Sequence, residues 1–240
     1  MRLPRPSPRD RRRVSLLVGA ILLAGLASAC GGGEQQPPAK DIVQRAATAT
    51  RAQKSFHFVF DEKNGPTSTS GVHLVFAEGD IAVPDKVKAD VSGTYQGVPL
   101  RAQLVAVGGK YYLTDPFSGK WREVAVDLNP VAFFDPAKGV LAVITAATQL
   151  EVVGSDKVGG ADTYHLKGKT TVGSIAPLLG NPPGTRLVDV ELWVDKRTDL
   201  LARLRLSGPV EKGDPADAER TIEATRYGVV VPIVAPQTGS

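Results

Sequence analysis

The chain of 240 residues holds one cysteine, Cys30, so no disulfide can form within it and the fold must rest on its core. At this length a single core is large enough to do so. Aromatic residues are only 6% of the total. The longest apolar stretch, Val14 to Ala29, is interrupted by Ser15, Gly19, Gly25 and Ser28 and falls short of the roughly 20 residues of a spanning helix. Catalytic patterns are missing too: there is no Gly-x-Ser-x-Gly elbow, no phosphate-binding glycine loop and no His-Glu-x-x-His. No nucleophile, base and oxyanion donor can be assembled, so no enzyme activity and no cofactor are expected.

The apparent basicity is confined to one end. The chain carries a formal +4, but the six Arg and one Asp of residues 1–29 supply +5, leaving the remainder near −1. No basic patch argues for nucleic acid.

What is present begins with Arg9, Arg11, Arg12 and Arg13 ahead of the apolar stretch, then Ala27-Ser28-Ala29 and Cys30. A basic head, a short apolar middle and small residues before a cut site mark a secretory signal peptide over 1–29. The cysteine directly after it resembles the bacterial lipoprotein signal, although Ala27 stands where that signal usually has Leu. The resemblance implies lipidation of Cys30 and a protein lipid-anchored on the extracytoplasmic face of the cell membrane; two or more acyl chains anchor stably, one only marginally. Residues 30–40, rich in Gly and Pro, read as a flexible tether reaching roughly 35 Å when stretched. Residues 41–240 are then the folded domain.

In that domain Ile42, Val43, Ala46, Ala47 and Ala49 predict a helix over Asp41 to Gln53. From Ser55 the period becomes two: Phe56, Phe58, Phe60; then Val72, Leu74, Phe76; Val87, Ala89, Val91; Val98, Leu100, Ala102, Leu104; later Val188, Val190, Leu192, Val194. Turn residues separate the runs, which predicts an antiparallel meander with one apolar and one wet face. Asp135 to Leu150 predicts a second helix with Pro136 in its first turn, and Thr171 to Leu179 a short third. Val229 to Pro236 could add a last strand. The fold class is therefore α+β: one curved antiparallel sheet of about ten strands, with two or three helices packed in its hollow. A two-sheet sandwich would leave the helices without a surface to cover.

His57, His73 and His165 occupy polar positions of strands. They read as solvent-facing; the rival reading joins His57, His73 and Asp61 at a metal, and no metal site is assigned. Asp189, Glu191 and Asp195 read as a solvated strand edge, with Arg203 and Arg205 facing them or water. A sheet this wide, walled by small Val, Ala and Leu side chains under few helices, leaves two readings open: a filled core, or an apolar cavity. A sixteen-carbon chain in such a cavity would gain roughly 12 kcal/mol before ordering costs.

The segments Phe134-Asp135-Pro136-Ala137-Lys138-Gly139-Val140, Lys157-Val158-Gly159-Gly160 and Thr163-Tyr164-His165-Leu166-Lys167-Gly168 resemble the LppX/LprAFG (LprG-like) lipoprotein family of actinobacterial-type envelopes. The resemblance implies a LolA/LolB-like half-barrel with helices on its concave face around a lipid-sized cavity. It also implies a function, binding acyl chains and carrying lipids or acylated glycolipids through the envelope, with a membrane transporter as a possible partner. The candidate cavity wall is Phe58, Phe60, Leu74, Phe76, Val91, Leu104, Leu141, Ile144, Val190 and Leu192, if the apolar side of each strand points inward. The alternative is a non-enzymatic interaction or sensor module for envelope proteins, with a filled core and an exposed apolar patch.

Overall fold

The computed structural model describes residues 36–66, 72–125, 139–174 and 184–238. The expected signal peptide, Cys30, and the tether as far as residue 35 lie outside the described residues. Helix α1 spans Ala39–Arg51, so Ala39 and Lys40, expected in the tether, open the helix. Its Ile42, Val43, Ala46 and Ala47 form the buried stripe.

Among the described residues eleven strands make one curved, unclosed sheet. Strands β1 (Ser55–Lys63), β2 (Val72–Ala82), β3 (Lys86–Tyr95), β4 (Val98–Val107), β5 (Lys110–Thr114) and β6 (Trp121–Val124) form a first meander. Helix α2 (Val140–Thr145) leads to a second, β7 (Thr148–Val158), β8 (Ala161–Thr171), β9 (Leu187–Asp195), β10 (Leu201–Ser207) and β11 (Glu219–Thr225). The order is β6-β5-β4-β3-β2-β1-β11-β10-β9-β8-β7, all pairs antiparallel, so the first and last strands meet in the middle. There Phe58 lies opposite Ala224 and Phe60 opposite Ile222. This is the expected single sheet, with one more strand than about ten.

The inner face holds one core in which α1 and α2 meet Phe56, Phe58, Phe60, Leu166, Val190, Leu192 and Leu204. Helix α1 packs on α2 and on β7, β9 and β10. The helices therefore cover the second meander and the central seam. On β4 to β6 the shared core reaches only Ala106 and Tyr111.

Several expectations need correction. The second helix is one and a half turns, Val140–Thr145, where Asp135 to Leu150 was expected; residues 126–138 lie outside the described residues. Gly139 is its extended N-cap, Thr145 Oγ1 bonds back to the Leu141 carbonyl, and from Thr148 the backbone is taken by the ladder to β8. Of the expected third helix, residues 172–174 are helical and 175–183 are not described. The tail forms no strand; instead Ile233 packs against Val105 and Tyr112 on the outer face.

Polar residues supply the other surprises. His73 and Glu191, expected in water, are buried, and β9 is an interior strand between β8 and β10. Trp193, in a polar phase of β9, is buried with Val158 and Ala202 on the outer face. His165 stacks on it with centroids 4.4 Å apart, and Arg203 and Arg205 lie over the same ring at 5.2 and 5.4 Å. The outer face thus carries a small second core, which one-face alternation does not foresee.

A buried ionic cluster closes one end of the central seam. Arg220, opposite Glu62 across β1 and β11, grips Asp214 with two bonds of 2.7 and 3.0 Å. Asp214 also accepts the Val210 and Glu211 amides, pinning the loop from Gly208 to Ala218 over the seam. Glu62 lies 3.3 Å from the Arg220 Nε and 2.9 Å from the His73 Nε2. Burial raises the Glu62 carboxyl above its ordinary 4.5, against the pull of Arg220 and His73. Burial opposes the Asp214 charge as well, but the bonds from Arg220 and the loop amides outweigh it and hold that carboxyl low.

Two stability predictions follow from this packing. Leu192→Ala, in the densest part of the core, should cost about 2–5 kcal/mol in urea unfolding. In the cluster, Asp214→Asn should cost about 1–3 kcal/mol, because the buried Arg220 loses its doubly bonded carboxylate and keeps only the looser contacts with Glu62 and Glu211. Glu62 has the opposite pH signature to Asp214. A carboxyl raised on folding binds its proton more tightly in the native state, so its contribution is complete below pH 4.5 and fades as pH rises through the raised value. Wild-type protein should therefore lose stability relative to Glu62→Gln over that rise, measured by urea midpoints across the pH series.

Candidate functional site

The inner face of β2 to β6 holds an apolar hollow. About 300 Å³ in volume, it is lined by Leu74, Val91, Gly93, Leu100, Ala102, Leu113 and Val124, with His73, Asp115, Pro116 and Arg122 at its margins. The register explains the grouping. Val91 lies opposite Ala102, Gly93 opposite Leu100 and Leu104 opposite Leu113, so these side chains share one face. Lower on the same strands Val87, Ala89 and Ala106 belong to the main core, while Leu100, Ala102 and Leu113 stay half-buried.

Two features of β2 shape this face. Its pairing with β3 shifts register between Leu74 and Phe76, so Val75 forms a bulge. Leu74 thereby lies opposite Gly93, beside the hollow, whereas Phe76 lies opposite Ser92 and Asp61 on the outer face. Gly93 is required where it stands: a Cβ would collide with the His73 carbonyl. The pointing of Phe76 corrects the expectation that every apolar side chain of β2 faces inward.

The ten candidate wall residues therefore separate. Leu74 and Val91 line the hollow, and Leu104 is half-buried beside it. Phe58, Phe60, Leu141, Ile144, Val190 and Leu192 are packed beneath or within the helices. Among them lies a gap of about 50 Å³ between Thr50, Phe56, Leu141, Leu201 and Tyr227, room for a water molecule or two. Tyr227 donates to the Leu201 carbonyl at 2.6 Å, and burial raises its phenol far above the ordinary 10. Phe76 instead borders a depression of about 650 Å³ on the outer face, open to solvent, with Asp90, Arg101, Gln103 and Thr114.

Leu100, Ala102, Leu113 and Val124 were not among the expected wall. The alternation from Val98 to Ala106 places Leu100 and Ala102 in phase with Leu104, so that signal was available. Which stretch of the face lacks a cover was not.

The histidines are structural partners of carboxylates. His57 Nδ1 lies 3.0 Å from Asp80 and its Nε2 3.4 Å from Glu78. His165 spans Asp156 at 3.0 Å and Glu191 at 2.7 Å. Burial opposes the Glu191 charge, but bonds from Arg205 and His165 prevail and lower its carboxyl. His57 pairs along β2 near Asp80 and His73 beside Glu62, so the two do not meet. Among the described residues no group of three or more His, Cys, Asp or Glu could hold a metal ion. None of the described helices is long and apolar enough to cross a membrane.

Comparison with known proteins places this geometry. The solved structure of LprF from Mycobacterium bovis superposes with a TM-score of 0.69 at 18% identity, covering 85% of this chain and 100% of that one. LppX from Mycobacterium tuberculosis gives 0.59 at 14% identity, covering 81% and 97%. At these identities the likeness is one of fold. In sequence, the lipoarabinomannan carrier protein LprG of Mycobacterium bovis (strain BCG / Pasteur 1173P2) is 25% identical over 246 residues, covering 98% of this chain and 99% of its own. The sequence profile of the LppX_LprAFG lipoprotein family matches residues 38–229. With most of its length matched and the half-barrel of LprF and LppX reproduced, this chain belongs to the LppX_LprAFG lipoprotein family.

Proposed function

We propose that the protein is a non-enzymatic carrier that shields acyl chains of a lipid or acylated glycolipid in the hollow of β2 to β6 as it moves them across the cell envelope. Lipidation of Cys30 tethers it to the extracytoplasmic face of the cell membrane. The observation that carries this reading is the inner face of the first meander, where Leu74, Val91, Leu100, Ala102, Leu113 and Val124 converge on a hollow that no helix of the described residues fills. An apolar concavity held open by a rigid sheet is a ready site for an apolar guest.

Its volume is at the lower end for ligand sites, which suits part of an acyl chain rather than a bulky headgroup. The guest's polar part would then remain outside, near Arg122 and His73 at the margin. The relatives named as lipoarabinomannan carriers make an acylated glycolipid the first ligand to try. A membrane transporter that hands over the lipid would complete the route.

The deciding measurement is organic extraction and native mass spectrometry of the Cys30→Ala chain, with uptake of a fluorescent fatty acid. Wild-type-like lipid recovery and uptake are expected. Ala102→Trp, which projects a large ring into the hollow, should weaken uptake at least about tenfold, the scale of burying one large apolar group, with an unchanged urea midpoint. Preparations repeatedly free of lipid and unable to take up the probe would defeat the proposal and favour a protein-interaction role.

A further inference from the structure

One rim of the sheet gathers exposed apolar side chains at the tips of separate turns. The register places the turns β3–β4 and β5–β6, the start of β9 and the loop between β10 and β11 at the same end as Leu74. Phe117, in the β5–β6 turn, is 90% exposed; Val98 is 59% exposed, and Tyr95, Leu187 and Leu74 are close to half exposed. Water-facing apolar residues are ordinary one at a time. Here Tyr95 and Val98 flank the β3–β4 turn and Phe117 projects from the β5–β6 turn, beside a hollow whose lining reaches the rim at Leu74, Thr94, Asp115 and Pro116, while Leu187 stands farther along the same rim on β9.

Phe117 is held outward by a built turn. The Asp115 carboxylate accepts the Phe117 amide at 3.1 Å, the Ser118 amide at 2.8 Å and the Ser118 hydroxyl at 2.9 Å, and Arg122 pairs with it at 3.0 Å. Little ordering entropy is then left to lose when the ring meets a partner.

Charge at this rim is sorted as well. Lys63, Lys120, Arg186 and Lys212 are exposed, while Glu62 and Asp214 are withdrawn into the buried cluster and Asp115 into its turn. The carboxylates at this end are Asp189, paired with Lys169, Glu211, beside Arg220 and His73, Asp217, engaged by Asn64, and Glu219. Isolated tips on separate turns do not make the continuous surface of roughly 1,000 Å² that a stable protein interface requires. They do suit a fluid medium that closes around each side chain. Aromatic and aliphatic tips ringed by Lys and Arg match the interfacial zone of an anionic bilayer.

We infer that this rim is the protein's bilayer-docking edge, with Phe117, Val98 and Tyr95 entering the interfacial layer of an anionic membrane so that the hollow opens toward hydrocarbon. The inference rests on the carrier reading above and deepens it, because an acyl chain could then enter the hollow without crossing water. Of the other exposed valines, Val229, Val230 and Val234 lie on the C-terminal tail, Val83 in the β2–β3 turn at the opposite end of the sheet and Val153 within β7.

The test is flotation of the Cys30→Ala chain with vesicles of phosphatidylcholine alone or mixed equally with phosphatidylglycerol. Binding is expected to the anionic vesicles, weakening as salt rises. The double variant Phe117→Asp/Val98→Asp should bind about ten- to a hundredfold more weakly, the loss expected when a large apolar side chain no longer leaves water. Uptake of a monomeric fluorescent fatty acid from solution should stay unchanged in that variant. Both positions are exposed, and Phe117→Ala with an unaltered urea midpoint guards against misfolding. Flotation of the double variant equal to that of the parent chain overturns the docking edge. Absence of fatty-acid uptake in both, with flotation still lost in the variant, instead defeats the carrier reading and leaves the edge standing.

Discussion

The pairing of β1 with β11 is the constraint from which the rest of the architecture follows. These strands are separated by more than 150 residues in sequence yet exchange backbone bonds along seven residue pairs, from His57–Thr225 to Lys63–Glu219. Each meander alone would be a sheet with an unpaired edge at the seam and half a core. Joined, they place Phe56, Phe58 and Phe60 beside Ile222 and Ala224, and the helices gain a continuous apolar floor. A contact this distant costs loop-closure entropy before any burial repays it. The ionic cluster of Glu62, Arg220 and Asp214 sits at one end of the same seam, where a misregistered pairing would leave charges buried without partners.

The helices then decide where the sheet stays open. Helix α1 packs on β7, β9 and β10, and a small gap of some 50 Å³ lies between its end and the central seam. Among the described residues, the first meander is left half-dressed. A soluble protein that kept this face merely for stability would gain by covering it, since water-exposed apolar surface returns none of the free energy of burial. In the proposed carrier reading a guest would supply that cover, and its departure would restore the open state. The outer face is closed differently, by Trp193 clamped among His165, Arg203, Arg205 and Asp156 and by the tail residue Ile233. The wall can thus stay stiff while one side stands empty.

Much of this was visible in residue order. Alternation located the strands because a pleated backbone turns successive side chains to opposite faces, and the turn residues between runs marked a meander. The helix from Ile42 was equally plain. What escaped notice shares a cause. His73, Glu191 and Trp193 look solvent-facing in a period-two pattern, but their burial comes from neighbouring strands and a loop distant in sequence. Phe76 has the hydrophobicity of a wall residue and sits on the wrong side because a single extra residue at Val75 shifts the register. The second helix ends before Leu150 because an apolar run can serve either element, and from Thr148 the backbone pairs with β8.

Residue order by itself determined the α+β class, the single antiparallel sheet and its apolar face, since these depend on local periodicity and turn chemistry. It also carried the family, in the segments around Lys157 to Gly168 and beyond. Only the tertiary structure decided that β1 closes against β11, that the helices shelter one half of the sheet, and that the hollow falls on Val91, Leu100, Ala102 and Leu113. The physical reason is that a vacancy is a property of two surfaces, the wall and the cover that fails to reach it. No local pattern in either one records the distance between them.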